Sequence, residues 1–124
     1  MSEHDEQKAV IDWCNQYARL RWHIEVNGNF PIAAIPNGIN CSGRTGKKYN
    51  DEGRSKGFPD LEIPICRGDF CGLIIEMKYG KNKLTADQKG WIEFLSSQKR
   101  KTCVCYSAAE AIKEITVYME LGTP

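Results

Sequence analysis

No apolar run in this chain approaches the roughly 20 residues needed to cross a bilayer, so no membrane-spanning helix is expected. Residues Met1 to Gln7 are polar and acidic, which excludes the layout of a secretory signal and leaves a cytoplasmic location as the expectation. Cys14, Cys41, Cys66, Cys71, Cys103 and Cys105 contain no CxxC pair, so the paired spacing of a structural zinc site is missing. With no secretory signal a disulfide framework is not expected either, and the six read as buried thiols, with Cys103 and Cys105 on one face of a strand. There are only two histidines, His4 and His23, and neither has Cys or Asp at ligand spacing; His23, beside Trp22, reads as a packing or surface residue. Gly43-Arg44-Thr45-Gly46-Lys47 lacks what a P-loop needs. Cys41 stands at its first glycine position, and Lys48 stands where a Ser or Thr would hold Mg²⁺. No internal repeat or low-complexity tract is present.

No sign of charge dominates, and a net charge of +1 says nothing by itself about nucleic acid. The distribution says more. Lys78, Lys81, Lys83, Lys89, Lys99, Arg100 and Lys101 crowd residues 78 to 101 against Asp87 and Glu93, and a second basic cluster holds Arg44, Lys47, Lys48, Arg54 and Lys56. Local clusters of this kind attract phosphate even when the total is near neutral, although an ordinary solvated surface has the same composition. Lys47, Lys48, Lys81 and Lys83 lead the expected phosphate contacts.

The 124 residues fit one compact domain, taken as 1–124, and a 41% hydrophobic content is enough to give it a core. Val10, Trp13, Cys14, Tyr17 and Leu20 recur at helical spacing and predict a helix from about Glu3 to Leu20. The same stripe, extended backwards, reaches Glu3, Glu6 and Gln7, which places polar groups toward the core side. Phe30 to Ile35 is expected to form a short strand. A long polar stretch follows, Asn37 to Phe58, with a short helix near Lys47 to Glu52. Asp60 to Ile65 and Gly72 to Met77 read as a β-hairpin turning at Arg67-Gly68-Asp69. Thr85-x-x-Gln88 and Ser107-x-x-Glu110 are capping boxes that open helices to about Ser97 and Leu121, with a strand from Thr102 to Tyr106 between them. The order αβββαβα predicts an α/β fold, a central mixed sheet flanked by helices.

Chemistry concentrates in Gly57-Phe58-Pro59-Asp60 and Ile75-Glu76-Met77-Lys78. Two residues apart on a strand, Glu76 and Lys78 face the same side, and Met77 faces the core. If the hairpin brings Asp60 beside them, two carboxylates and an amine share a small space. Paired carboxylates repel unless a cation lies between them, and an all-oxygen donor set suits Mg²⁺ or Mn²⁺ rather than zinc. Such an ion would polarise a phosphodiester and acidify water, and Lys78 would orient that water or stabilise developing negative charge. The competing reading of an ExK triplet is a surface Glu–Lys pair beside an unrelated Asp.

Pro59-Asp60 followed by Glu76-x-Lys78 resembles the PD-(D/E)xK nuclease superfamily, and within it the chain resembles the VRR-NUC family over nearly its whole length. The matching pieces are Glu3-His4-Asp5-Glu6-Gln7, Ile35-Pro36-Asn37-Gly38, Glu52 to Leu61, Gly72 to Lys78, Leu84-Thr85-x-x-Gln88-x-x-Trp91 and Ala111-Ile112 in the last helix. The chain is similar to stand-alone phage and bacterial members, which places it in a bacterial or phage-infected cell. The resemblance implies a restriction-endonuclease-like core and a Mg²⁺- or Mn²⁺-dependent DNA endonuclease. Asp60 and Glu76 would bind metal with the Met77 backbone carbonyl, Lys78 would be the catalytic lysine, and Glu3, or its neighbour Glu6, would add an acidic group. Gln88 matches a helix glutamine near the site, and the capping box with Thr85 is its structural alternative. The implied substrate is branched DNA such as a four-way (Holliday) junction. The implied assembly is a homodimer through the last helix at Ile115, Tyr118, Met119 and Leu121, with core packing as the alternative for those residues. A non-catalytic nucleic-acid-binding module on the same fold is the rival function, and a structural interaction protein is a third.

Overall fold

Apolar residues alternate along the segment before Gly68 and run continuously along the one after it, and these two segments build the centre of the molecule. The computed structural model describes residues 2–35, 53 and 55–124. Helix α1 (Glu3–Trp13) runs through a π-helical turn (Cys14–Ala18) into α2 (Arg19–Trp22). Four strands follow, β1 (Ala33–Ala34), β2 (Leu61–Arg67), β3 (Phe70–Met77) and β4 (Lys101–Cys105), with α3 (Ala86–Ser97) between the last two and α4 (Ala108–Met119) at the end. The sheet order is β1-β2-β3-β4, with β3 antiparallel to β2 and parallel to β4. The parallel step needs a crossover, and α3 supplies it.

Val10, Cys14 and Ala18 of the first helix, Leu61, Ile63 and Ile65 of β2, Leu73, Ile75 and Met77 of β3, and Ala111, Ile115, Tyr118 and Met119 of α4 form the main core. Ile74 and Leu95 are buried outside that cluster. The Ser96 and Thr102 hydroxyls meet at 2.7 Å, which sets α3 on the other face of the sheet. Because β3 is covered on both faces it reads as a continuous apolar run, as a central strand should.

Several sequence expectations change. The first helix is capped by Ser2, with Asp5 completing the box, and extends to Trp22 through a π turn that periodicity does not reveal. His23 ends it in the left-handed region at φ 53° and is exposed. At Ser107 only half of the expected box forms: Ser107 accepts from the Glu110 N–H, but the Glu110 carboxylate reaches back to Tyr106 N (3.2 Å) instead. The largest correction concerns the thiols. Cys66 and Cys71 are joined by a disulfide across the β2–β3 hairpin. Cys14 and Cys105 are buried thiols, and the Cys103 and Cys105 sulfurs lie 3.8 Å apart on one face of β4. Ile115, Tyr118 and Met119 belong to the core of the chain, which is the core-packing alternative, and Leu121 is partly buried against it. The expected helix near Lys47 to Glu52 and the phosphate contacts of Lys47 and Lys48 lie outside the described residues; Lys81 and Lys83 are exposed. Among the described residues no helix is long and apolar enough to cross a membrane.

Candidate active site

The hairpin register does the first part of the construction. Leu61 stands opposite Ile75 and Glu62 opposite Ile74, so one step further along the same antiparallel register sets Asp60 against Glu76. The Asp60 carboxylate is fixed there by accepting the Met77 backbone N–H at 2.8 Å, and the Asp60 carbonyl accepts from Ile35 N at 2.8 Å. On the other side of β3 the Lys78 N–H donates to the Cys105 carbonyl at 2.8 Å, which locks the end of the strand to β4. Two residues apart, Glu76 and Lys78 share the face of β3 opposite the core residues Leu73, Ile75 and Met77.

Glu76 is 2% exposed and Lys78 8% exposed, and they are the only buried charged side chains among the described residues. An isolated buried charge is strongly disfavoured, so the group neutralises or finds a partner. Glu76 does the former: burial, with the Asp60 carboxyl in hydrogen-bonding reach and its charge alongside, pushes its pKa up to about 9. Lys78 works against that rise and Glu3 adds to it. Glu3 itself is raised, first by burial and then by Asp60, with Lys78 opposing. The N-terminal turn of α1 thus delivers Glu3 into the electrostatic field of Asp60, Glu76 and Lys78.

Glu6 goes elsewhere. Its carboxylate accepts the Ala108 N–H at 2.6 Å, at the start of α4, so it anchors one helix to another. Gln88 completes the capping box with Thr85: its side-chain oxygen takes the Thr85 N–H at 2.9 Å. That oxygen is committed to the helix end, and Gln88 is not among the groups whose charge or hydrogen bonds act on Glu76. The Met77 carbonyl lies at the same strand end, between Glu76 and Lys78.

The candidate donor set is the Asp60 carboxylate, the Glu76 carboxyl that keeps its proton beside it, a third carboxyl from Glu3 and a backbone carbonyl. That chemistry fits a hard divalent cation. Among the described residues, however, no group of three or more His, Cys, Asp or Glu is already gathered at metal-holding distance. The carboxylates are crowded but not yet arranged as a cage, and the Glu76 proton occupies the place of positive charge.

Sequence reading missed the floor beside the site. Lys56-Gly57-Phe58 leads into Asp60 and lies against the start of α3, where a Cβ on Gly57 would stand 2.7 Å from the Asp87 carbonyl carbon. Phe58 meets Trp91 edge to face at 4.9 Å. Leu84-x-x-x-Gln88-x-x-Trp91 carried the only signal, since it places Trp91 about one helical turn beyond Gln88.

The mixed four-stranded sheet with helices on both faces is a restriction-endonuclease-like α/β fold. The VRR-NUC domain model matches residues 1–109, and the chain belongs to that family. A solved structure described as a VRR_NUC domain protein is similar at 28% identity, covering 99% of this chain and 92% of that one, with a TM-score of 0.79. No curated protein sequence matches the chain. A nuclease-type domain implies an interaction with DNA.

Proposed function

We propose that this chain is a Mg²⁺- or Mn²⁺-dependent endodeoxyribonuclease of the PD-(D/E)xK type, folded as one domain over 1–124. The observation that carries the proposal is the placement of Asp60 and Glu76 opposite one another across the hairpin, with Lys78 buried beside them. Asp60 and Glu76 would hold the ion with the Met77 carbonyl, and Glu3 completes the acidic side better than Glu6, which caps α4. A bound divalent ion supplies Lewis-acid activation of a phosphodiester and of water. The chain's own residues do the rest. Asp60, pinned by the Met77 N–H, cannot swing away when Glu76 ionises. Lys78, short of solvent, places a positive charge where negative charge develops on the phosphate, and a buried charge acts there with little screening. Gln88 keeps its sequence match to a helix glutamine near the site, but its oxygen is spent on the cap, so its role reduces to positioning α3.

The preferred substrate in this reading is branched DNA, such as a four-way junction, cut by a symmetric homodimer in a bacterial or phage-infected cytoplasm. One active site cuts one strand, and a two-fold axis pairs two of them. The test is cleavage of labelled four-way, flapped and linear duplexes in Mg²⁺, Mn²⁺ and EDTA, with the chain's mass measured in solution. Junction cleavage that stops in EDTA, by a particle of twice 14.1 kDa, is expected. Binding without cleavage under every metal condition would instead favour the non-catalytic nucleic-acid module.

A further inference from the structure

A shallow groove of about 380 Å³ lies on α3, lined by Lys56, Ala86, Asp87, Gly90, Trp91 and Phe94. Phe94 is 55% exposed although it sits in a well-formed helix, and Trp91 is only partly buried. The two rings meet edge to face at 6.3 Å and an interplanar angle of 88°, and Phe58 meets Trp91 at 4.9 Å. Together they give the groove an aromatic wall. Its floor is open because position 90 is glycine. A Cβ there would meet nothing within 4 Å, so no packing demands a glycine, and in a helix interior it sacrifices about 1 kcal/mol relative to alanine. Lys56 stands at the mouth, 3.6 Å from Asp87.

We infer that this groove holds an unpaired nucleobase of the DNA substrate, stacked against Phe94 and Trp91 with its phosphate near Lys56. The inference rests on the proposed nuclease reading and names the feature of the substrate that the enzyme selects. Every base has a π face, so an aromatic wall accepts any of them without reading sequence. Only a base out of its duplex stack can offer that face, because a paired base has both faces covered by its neighbours. The chain that begins at Lys56 on the groove's rim reaches Asp60 four residues later, a span of at most about 14 Å. An extruded base would therefore hold the adjoining strand close to Asp60 and Glu76.

The experiment is equilibrium binding by fluorescence anisotropy in EDTA, where metal-dependent cleavage cannot run. The full chain is titrated against a linear duplex, the same duplex with an unpaired thymidine flap, and that flap made abasic. Phe94→Ala removes an exposed ring. Gly90→Leu fills the groove with a better helix former, so a folding defect is not its expected effect. Both should weaken flap binding roughly 5- to 100-fold, the range of a lost base stack. Both should leave duplex and abasic-flap binding within about two-fold, and Gly90→Leu should not lower Tm. Equal losses on all three DNAs, or none on the flap, would overturn the inference, as would a change in the chain's self-association on mutation, which would make the groove a contact between copies. Failure of the two readings is distinguishable: a wild-type chain that binds the flap through Phe94 but never cuts it in Mn²⁺ refutes the nuclease and leaves the base site standing. A chain that cuts normally while Phe94→Ala binds as wild type does the reverse.

Discussion

At the turn end of the β2–β3 hairpin, the Tyr118 hydroxyl accepts the Gly72 N–H at 3.0 Å and donates to the Ile65 carbonyl at 2.6 Å. The Cys66–Cys71 disulfide closes the strands beside it, and Gly68 N donates to the Gly122 carbonyl at 2.6 Å. At the open end of the same hairpin, Asp60 and Glu76 are pressed together with a lysine and a further carboxyl, and one carboxyl stays protonated to tolerate the crowding. One end satisfies its polar groups and adds a covalent link. The other keeps a proton on Glu76 where a second negative charge would stand beside Asp60. The satisfied end, five to six residues along the same strands, fixes their spacing at the crowded end.

The largest effect that separates the two ends is on chemistry. Asp60→Ala, Glu76→Ala and Lys78→Ala should each reduce DNA cleavage by at least about 10²- to 10³-fold, the scale seen when one transition-state partner is removed, with far-UV circular dichroism unchanged. Full activity in any of them would dissolve the contrast. The next effect is on pH dependence without metal. Glu76 has its folded pKa raised to about 9 from an ordinary 4.5, so between those values the folded chain keeps a proton that the unfolded chain loses. The group's contribution is present in full below about pH 4.5 and is lost as pH rises toward 9, with a slope of up to about 1.4 kcal/mol per pH unit. Thermal melts in EDTA should show Tm falling across that window, and Glu76→Gln should flatten the fall. A wild-type Tm that rises from pH 5 to 8, or one that Glu76→Gln leaves just as steep, would contradict this.

Much of the open end was legible in the sequence because it depends on local rules. Period-two alternation gave β2, a continuous apolar and β-branched run gave β3, and the polar pair Glu76 and Lys78 at its end marked the candidate site. Thr85 and Gln88 announced the start of α3. The turn end was hidden because it depends on a register shift. Between Ile63 and Cys66 the pairing slips by one residue, at Pro64, which cannot donate to the ladder. Carried through without that bulge, the register would set Cys66 against Phe70; the slip sets it against Cys71 and turns two isolated thiols into a bridged pair. The bulge also leaves the Ile65 carbonyl to Tyr118, which is why that tyrosine belongs to the core and not to a dimer surface. The Phe94 groove was hidden for a different reason: an apolar residue on a helix reads as core until the neighbours that fail to cover it are known.

Smaller effects sharpen the contrast from the stable side. Tyr118→Phe leaves the Gly72 N–H and Ile65 carbonyl buried without their hydroxyl, and should cost about 2–4 kcal/mol of unfolding free energy. Catalysis should survive at temperatures where the variant stays folded. Urea melts and cleavage rates on the same sample check both halves, and a stability loss under about 0.5 kcal/mol would show that the hydroxyl is dispensable. The double change Cys66→Ser and Cys71→Ser opens a link of sequence separation 5 and should cost about 2 kcal/mol by chain entropy. An unchanged urea midpoint would assign the turn end's strength to Tyr118 alone.

The central claim is that Asp60 and Glu76 are held together for a divalent cation, with a proton on Glu76 in its place. Calorimetric titration of the metal-free chain with Mn²⁺ at pH 7, repeated in buffers of different ionisation enthalpy, measures both the binding and the protons released. The account predicts saturable binding with close to one proton released per ion, as Glu76 ionises, and neither in Glu76→Gln. Absence of Mn²⁺ binding by the wild type, or binding that is identical in Glu76→Gln and releases no proton, would contradict it.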